Sequence, residues 1–121
     1  MILVDTSVWI DHLHTAIPRL VDQLGRDEVV VHPLVVEELA LGSLKDRDRL
    51  LESLGNLHTL PHLSHGEWLA LVHIRRLWGR GLSAVDVHLL GSVLISPGVA
   101  LWTRDKRLQA AASEVGVFLA R

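Results

Sequence analysis

The stretch Met1-Ile2-Leu3-Val4-Asp5-Thr6-Ser7 constrains the fold more than any other part of the chain. Its apolar, partly β-branched run is the pattern of a short buried strand. The run stops at an acid and two hydroxyl residues, after which Val8, Trp9, Ile10 and Leu13 take up helical spacing. A buried strand that passes straight into a helix is the usual opening of an open α/β sheet. In such sheets ligands bind beyond the carboxyl ends of the strands. Asp5 falls at that position.

The alternation continues along the chain. Pro18 sits in the first turn of a helical stretch over 17–25, and residues 28–31 form a second apolar strand. Pro33 opens a helix over 33–43 that Gly42 closes. A mixed-charge helix over 45–54 and a weak strand over 57–60, stopped by Pro61, come next. Ser64 with Glu67, and Ser83 with Asp86, have capping-box spacing and start helices over 64–78 and 83–95. A strong strand over 99–102, a helix over 104–114 and a short strand over 117–119 complete the pattern. Strands alternating with helices predict a mostly parallel sheet of about five strands covered on both faces. No repeat or linker divides the chain, so residues 1–121 are expected to be one domain.

Composition removes several classes of function. With 49% apolar residues the chain is not a disordered segment. No apolar run reaches the roughly 18 residues of a membrane span. The strand at the start leaves no basic leader, so no secretory signal is expected and the cytoplasm is the default location. Cysteine is absent, which excludes disulfides and thiolate metal sites. A net charge of −2 does not describe a general nucleic-acid binder. Locally the picture differs: Arg75, Arg76 and Arg80 precede a turn, and Arg104, Lys106 and Arg107 surround Asp105. Of these, Arg80, Arg104 and Lys106 are the candidates to meet a phosphate backbone; solvated helix faces are the plainer reading.

Four acids stand in surroundings where acids are expensive. The 33–43 helix is apolar nearly all round, the mark of a buried helix. Glu38 shares a face there with Leu34 and Leu41, and neighbouring Glu37 competes for the same role. Asp86 lies on a stripe with Leu89, Leu90 and Val93. Asp5 and Asp105 follow predicted parallel strands and so fall on one sheet edge. Carboxylates about 4 Å apart repel by on the order of 4 kcal/mol at an effective dielectric near 20. A divalent cation removes the conflict, and an all-oxygen set suits Mg²⁺ or Mn²⁺ better than zinc. Plainer explanations exist for three of the four: Asp86 completes a capping box, Asp105 favours a helix start, and Asp5 caps the first helix. Only the metal reading accounts for all four together.

Other signals are weaker. Gly79 to Ala84 matches a glycine-rich dinucleotide pattern but follows a helix, so its physical context fails. His58, His62 and His65 span a strand, a proline and a helix start, which suits loop histidines better than zinc ligands. His88 has no assigned role, and the four tryptophans fit core or interface better than base stacking. No Gly-x-Ser-x-Gly elbow supports a serine triad.

Taken in order, Val4-Asp5-Thr6-Ser7-Val8-Trp9-Ile10, Glu38-Leu39-Ala40-Leu41-Gly42, Leu82-Ser83-Ala84-Val85-Asp86 and Trp102-Thr103-Arg104-Asp105-Lys106-Arg107-Leu108 resemble the PIN-domain family. More narrowly they resemble the VapC-type toxins of bacterial toxin–antitoxin pairs. The resemblance covers essentially the whole chain and rests on the ordered set rather than on any one motif. It implies a three-layer α/β/α fold and a Mg²⁺- or Mn²⁺-dependent endoribonuclease. It also implies a small VapB-type antitoxin and a homodimer. Carried over by position, the acidic site is Asp5, Glu38, Asp86 and Asp105, with Asp5 and Asp86 as metal ligands. The Glu-x-x-x-Gly spacing ending at Gly42 selects Glu38 over Glu37, and Thr6 and Thr103 match hydroxyls that support the pocket. Two other readings compete. One is a catalytically silent RNA- or peptide-binding module. The other is a phosphotransferase of the haloacid-dehalogenase kind, which wants a second aspartate where this chain has Ser7.

Overall fold

The computed structural model describes all of residues 1–121. In chain order the elements are β1 (Ile2–Val4), α1 (Thr6–His14), α2 (Pro18–Gly25), β2 (Val29–Val31), α3 (Pro33–Ala40) and α4 (Arg47–Gly55). They continue with β3 (His58–Thr59), α5 (His65–Arg75), α6 (Ala84–Leu94), β4 (Ala100–Trp102) and α7 (Lys106–Glu114). The strands form one parallel sheet in the order β3-β2-β1-β4. β1 is therefore central, with Leu3 beside Val30 on one side and Leu101 on the other.

Strand order and handedness determine the layers. Successive steps from β1 to β2 to β3 move one way across the sheet, and the return from β3 to β4 crosses it the other way. Parallel crossovers are right-handed, so α1 to α4 cover one face and α5 to α7 the other. The packing agrees: α3 lies against α1 and α4, and α5 against α6. The core between them is almost wholly aliphatic, with Leu3, Val4, Val30 and Leu101 from the strands meeting Leu20, Leu39, Leu89, Leu90 and Leu108 from the helices. All carboxyl ends of the strands reach the same edge of this three-layer α/β/α body.

Three expectations change. The strand expected over 117–119 is a single bridge, Leu119 to Leu101, because Gly116 turns the chain at φ +83° and Phe118 is exposed. The sheet thus has four strands rather than five. The helix expected over 33–43 stops at Ala40 and is not buried all round. Val35 and Leu39 face the core, whereas Glu37, Glu38 and Leu41 are exposed. The helix expected to run to 78 ends at Arg75, where Arg76 adopts the left-handed conformation.

Two close approaches lock α6 and α3 in place. A Cβ added at Gly91 would lie 2.2 Å from the Leu63 side chain, so glycine there lets Leu63 stay packed against α6. His32 follows β2, is 1% exposed, and accepts the Leu34 amide proton at Nδ1 (3.0 Å) as the cap of α3. Burial, and then the nearby His88 and His62, push its pKa down to about 4. The folded protein therefore refuses a proton that the unfolded chain takes up near 6.5. Stability contributed by neutral His32 is full above pH 6.5 and is lost progressively down to pH 4. The whole shift is worth about 3 kcal/mol. His32→Asn keeps a capping acceptor and removes the titration. Urea melts between pH 7 and pH 4 should show the variant losing about 3 kcal/mol less than the wild type; equal losses would contradict this role.

Candidate active site

The end of β1 is where the polar groups gather. Asp5 continues the ladder by donating its backbone N–H to Trp102 O (2.9 Å), which fixes the residue between β1 and β4. It is 6% exposed, and its carboxylate accepts three hydrogen bonds. Thr6 N–H reaches Oδ1 (2.8 Å), while the Ser7 and Thr103 hydroxyls reach Oδ2 (2.8 and 2.7 Å). A carboxylate has about four lone-pair sites. Three are taken, so Asp5 is held oriented with one acceptor direction to spare.

The hydroxyls that hold Asp5 also hold the loop after β4. Thr103 Oγ1 accepts the Asp105 amide proton (3.1 Å), and Ser7 Oγ accepts that of Arg104 (3.2 Å). Asp105 then caps α7, its Oδ1 accepting from the amides of Arg107 (2.8 Å) and Leu108 (3.3 Å). Asp86 is held from α6. Its Oδ2 accepts the Ser83 N–H (2.9 Å), and its own N–H donates to Ser83 Oγ (3.0 Å). Glu38 is exposed on α3 and accepts the Thr6 hydroxyl proton at Oε1 (2.6 Å). Adjacent Glu37 makes no such link.

Capping and clustering are therefore one arrangement. Asp5, Asp86 and Asp105 each spend oxygens on a helix start, and those helix starts all open on the same sheet edge. The electrostatics register the crowding: burial raises the Asp86 pKa, and the charges of Asp5 and Asp105 raise it further, against the Ser83 hydrogen bonds. None of the four ion pairs in the molecule involves Asp5, Glu38, Asp86 or Asp105. The cations expected nearby are occupied or apart. Arg104 pairs with Asp11 (2.8 Å), Arg80 pairs with Glu114 (2.6 Å), and exposed Lys106 is unpaired.

No three acidic or histidine side chains converge tightly enough to cage an ion. Oxygen donors with free lone pairs, mutual repulsion and no basic partner nonetheless suit a hard divalent ion that keeps several of its waters. Zinc fits worse: the set offers no thiolate, and the buried histidine nearest this edge, His32, has already committed Nδ1 to a backbone amide. Ser7 is the residue that sequence reasoning missed. Its place beside Asp5 is local, but the bond it accepts from Arg104 N–H depends on the contact between β1 and β4.

A protein-family model for the PIN domain matches residues 2–114. The chain belongs to the PIN-domain family. Within it, this PIN domain is 63% identical over 120 residues to Ribonuclease VapC32 of Mycobacterium tuberculosis, covering 99% of its own length and 97% of that relative. It is thus a PIN domain of the VapC type. Its backbone is similar to that of PAE2754 from Pyrobaculum aerophilum (TM-score 0.63, 22% identity, 98% of this chain and 82% of that one). It is also similar to FitAcB from Neisseria gonorrhoeae (TM-score 0.65, 19% identity, 100% and 97%). At those identities the likeness is one of fold.

The bridging role of Thr103 in this PIN domain has a measurable cost. Thr103→Val keeps the shape of a side chain that is 3% exposed but removes one donor from Asp5 and the acceptor for the Asp105 amide. Loss of a hydrogen bond to a buried charge predicts destabilisation of about 2–3 kcal/mol in urea melts. A change below about 0.5 kcal/mol, the range of an ordinary surface substitution, would show that the bridge holds nothing.

Proposed function

We propose that this protein is a divalent-metal-dependent endoribonuclease, acting as the toxin of a type II toxin–antitoxin pair. The observation that carries the metal-dependent chemistry is the crowding of Asp86 by Asp5 and Asp105 on an edge without a paired cation. The relative named as a ribonuclease, nearly full-length at 63% identity, supports RNA as the substrate.

Asp5 and Asp86 are the residues that would hold Mg²⁺ or Mn²⁺, Asp5 through the acceptor direction left on Oδ1 and Asp86 through its unbonded Oδ1. The chemistry such an ion supplies is a lower pKa for the attacking water and charge stabilisation around phosphorus. Glu38, fixed by Thr6 on one oxygen, keeps the other free to accept a proton from that water. Asp105 completes the pocket from the α7 side, and Thr6 and Thr103 keep the acids oriented. Lys106 and the arginines at 80 and 104 lie on the flanking elements where an RNA backbone would pass. In-line attack leaves 5′-phosphate and 3′-hydroxyl ends.

The toxin role brings a small VapB-type antitoxin as partner, a homodimer as the working unit and the cytoplasm as its place. No helix is long and apolar enough to cross a membrane. The phosphotransferase alternative loses its footing with the family assignment, and Ser7 serves to hold Asp5 rather than to supply a second acid.

Asp5→Asn should leave the circular dichroism spectrum intact and lower metal-dependent cleavage of RNA by about a hundredfold or more, since even outer-shell partners of a metal cost 10–100-fold. End-labelled products of the wild type should carry 5′-phosphates. Undiminished cleavage by the folded variant would overturn the assignment, and binding of RNA without turnover by the wild type would favour the silent binding module.

A further inference from the structure

Beside the acidic pocket lies a cleft that the reaction as described does not use. Its floor is aliphatic, from Val72, Leu77 and Val87, and two indoles wall it, Trp68 and Trp78. Its rim is the loop Gly79 to Ala84. Trp68 is half-buried and fixed: its indole N–H donates to Ala84 O (3.2 Å) at the start of α6, and its ring lies 5.9 Å from that of His88. Trp78 is 60% exposed, an unusual state for the largest apolar side chain in a small domain.

The cleft and the acidic site share a residue. Ser83 lines the cleft and also holds Asp86 through its backbone N–H and its hydroxyl. A phosphodiester placed on the acids would therefore have a neighbouring nucleotide at the cleft mouth. The volume, about 180 Å³, is room for about six waters at about 30 Å³ each. That holds a flat heterocycle and is below the roughly 300 Å³ of the smallest ordinary ligand sites.

Charge at the rim matches the same occupant. Gly81 has φ +75°, and a Cβ there would fall 2.5 Å from Nη1 of Arg107, so the Arg107 side chain lies directly on the loop. Arg107 takes part in no ion pair, which leaves its guanidinium free against the Gly81 rim of the cleft. Arg80, by contrast, is held away by Glu114 through two hydrogen bonds (2.6 and 3.0 Å). Single-stranded RNA presents unstacked bases that aromatic side chains cover, with cations meeting the adjoining phosphates.

We propose that the Trp68–Trp78 cleft is a subsite for one unpaired RNA base next to the scissile phosphate, with Arg107 holding the phosphate beside it. The proposal rests on the ribonuclease reading and makes Trp78 a substrate-positioning residue. Trp78→Ala, at an exposed position, should keep the fold and raise KM for single-stranded RNA roughly tenfold, the size of one lost base–aromatic stack, with kcat nearly unchanged. Trp78→Phe should restore most of the loss. In an Asp5→Asn background, which binds RNA without cutting it, a single-stranded RNA oligonucleotide should quench tryptophan emission, and adding Trp78→Ala should weaken its binding roughly tenfold.

Equal KM and equal oligonucleotide binding in a folded Trp78→Ala protein would overturn the subsite. So would a change in its oligomeric state that accounts for the whole loss, since the indole would then be a subunit contact. Cleavage that persists with unchanged KM leaves the ribonuclease reading standing and removes only the subsite. Trp78-dependent binding without any wild-type cleavage does the reverse.

Discussion

Repulsion among carboxylates gathered at one edge of a parallel sheet is the constraint around which this structure is arranged. β1 and β4 lie side by side, so the residues that follow them, Asp5 and Asp105, leave the sheet together. α6 returns across the opposite face and brings Asp86 to the same edge. Nothing basic from the chain neutralises the group. What holds the acids against their repulsion is a set of short hydrogen bonds from backbone amides at the helix starts, Ser83 N–H among them, and from the hydroxyls of Thr6, Ser7 and Thr103. Such bonds orient the charge without removing it, which leaves the cation to come from outside.

Helix capping supplies the precision. A capping acid has one oxygen committed to backbone amides, and its side chain is thereby held in a single direction. Asp105, with Oδ1 on two amides of α7, illustrates the principle. The plain structural role and the functional one are not rivals at these positions, because the cap is what aims the second oxygen. Glu38 is the exception. It sits in mid-helix on an exposed face and is tied to the site only by Thr6.

Much of this was legible in the residues. The Ser83–Asp86 box, the strand ending at Asp5 and the helix starting after Asp105 are local patterns, and local patterns survive folding. The apolar run 33–43 misled, because hydrophobicity counts residues and not their exposure: Leu41 is 89% exposed at the end of α3. The expected last strand shrinks to one bridge, since Gly116 turns the chain and Phe118 points to solvent. Contacts between distant segments left no local trace. Ser7 bridging to residue 104, Arg107 lying on Gly81, and His32 buried against His62 and His88 all depend on the packing of elements far apart in the chain.

The central claim is that an external divalent ion completes the charge balance of this pocket, and Asp86 reports it most directly. Carbon-13 NMR of its carboxyl group, titrated with and without Mg²⁺, measures the protonation of the site itself. Without the ion, the midpoint should lie above the ordinary aspartate value of 3.8, as burial and the charges of Asp5 and Asp105 require. With saturating Mg²⁺ it should fall below that value, because the carboxylate then faces a cation in place of two anions. A midpoint that stays where it was when Mg²⁺ is added would contradict the account.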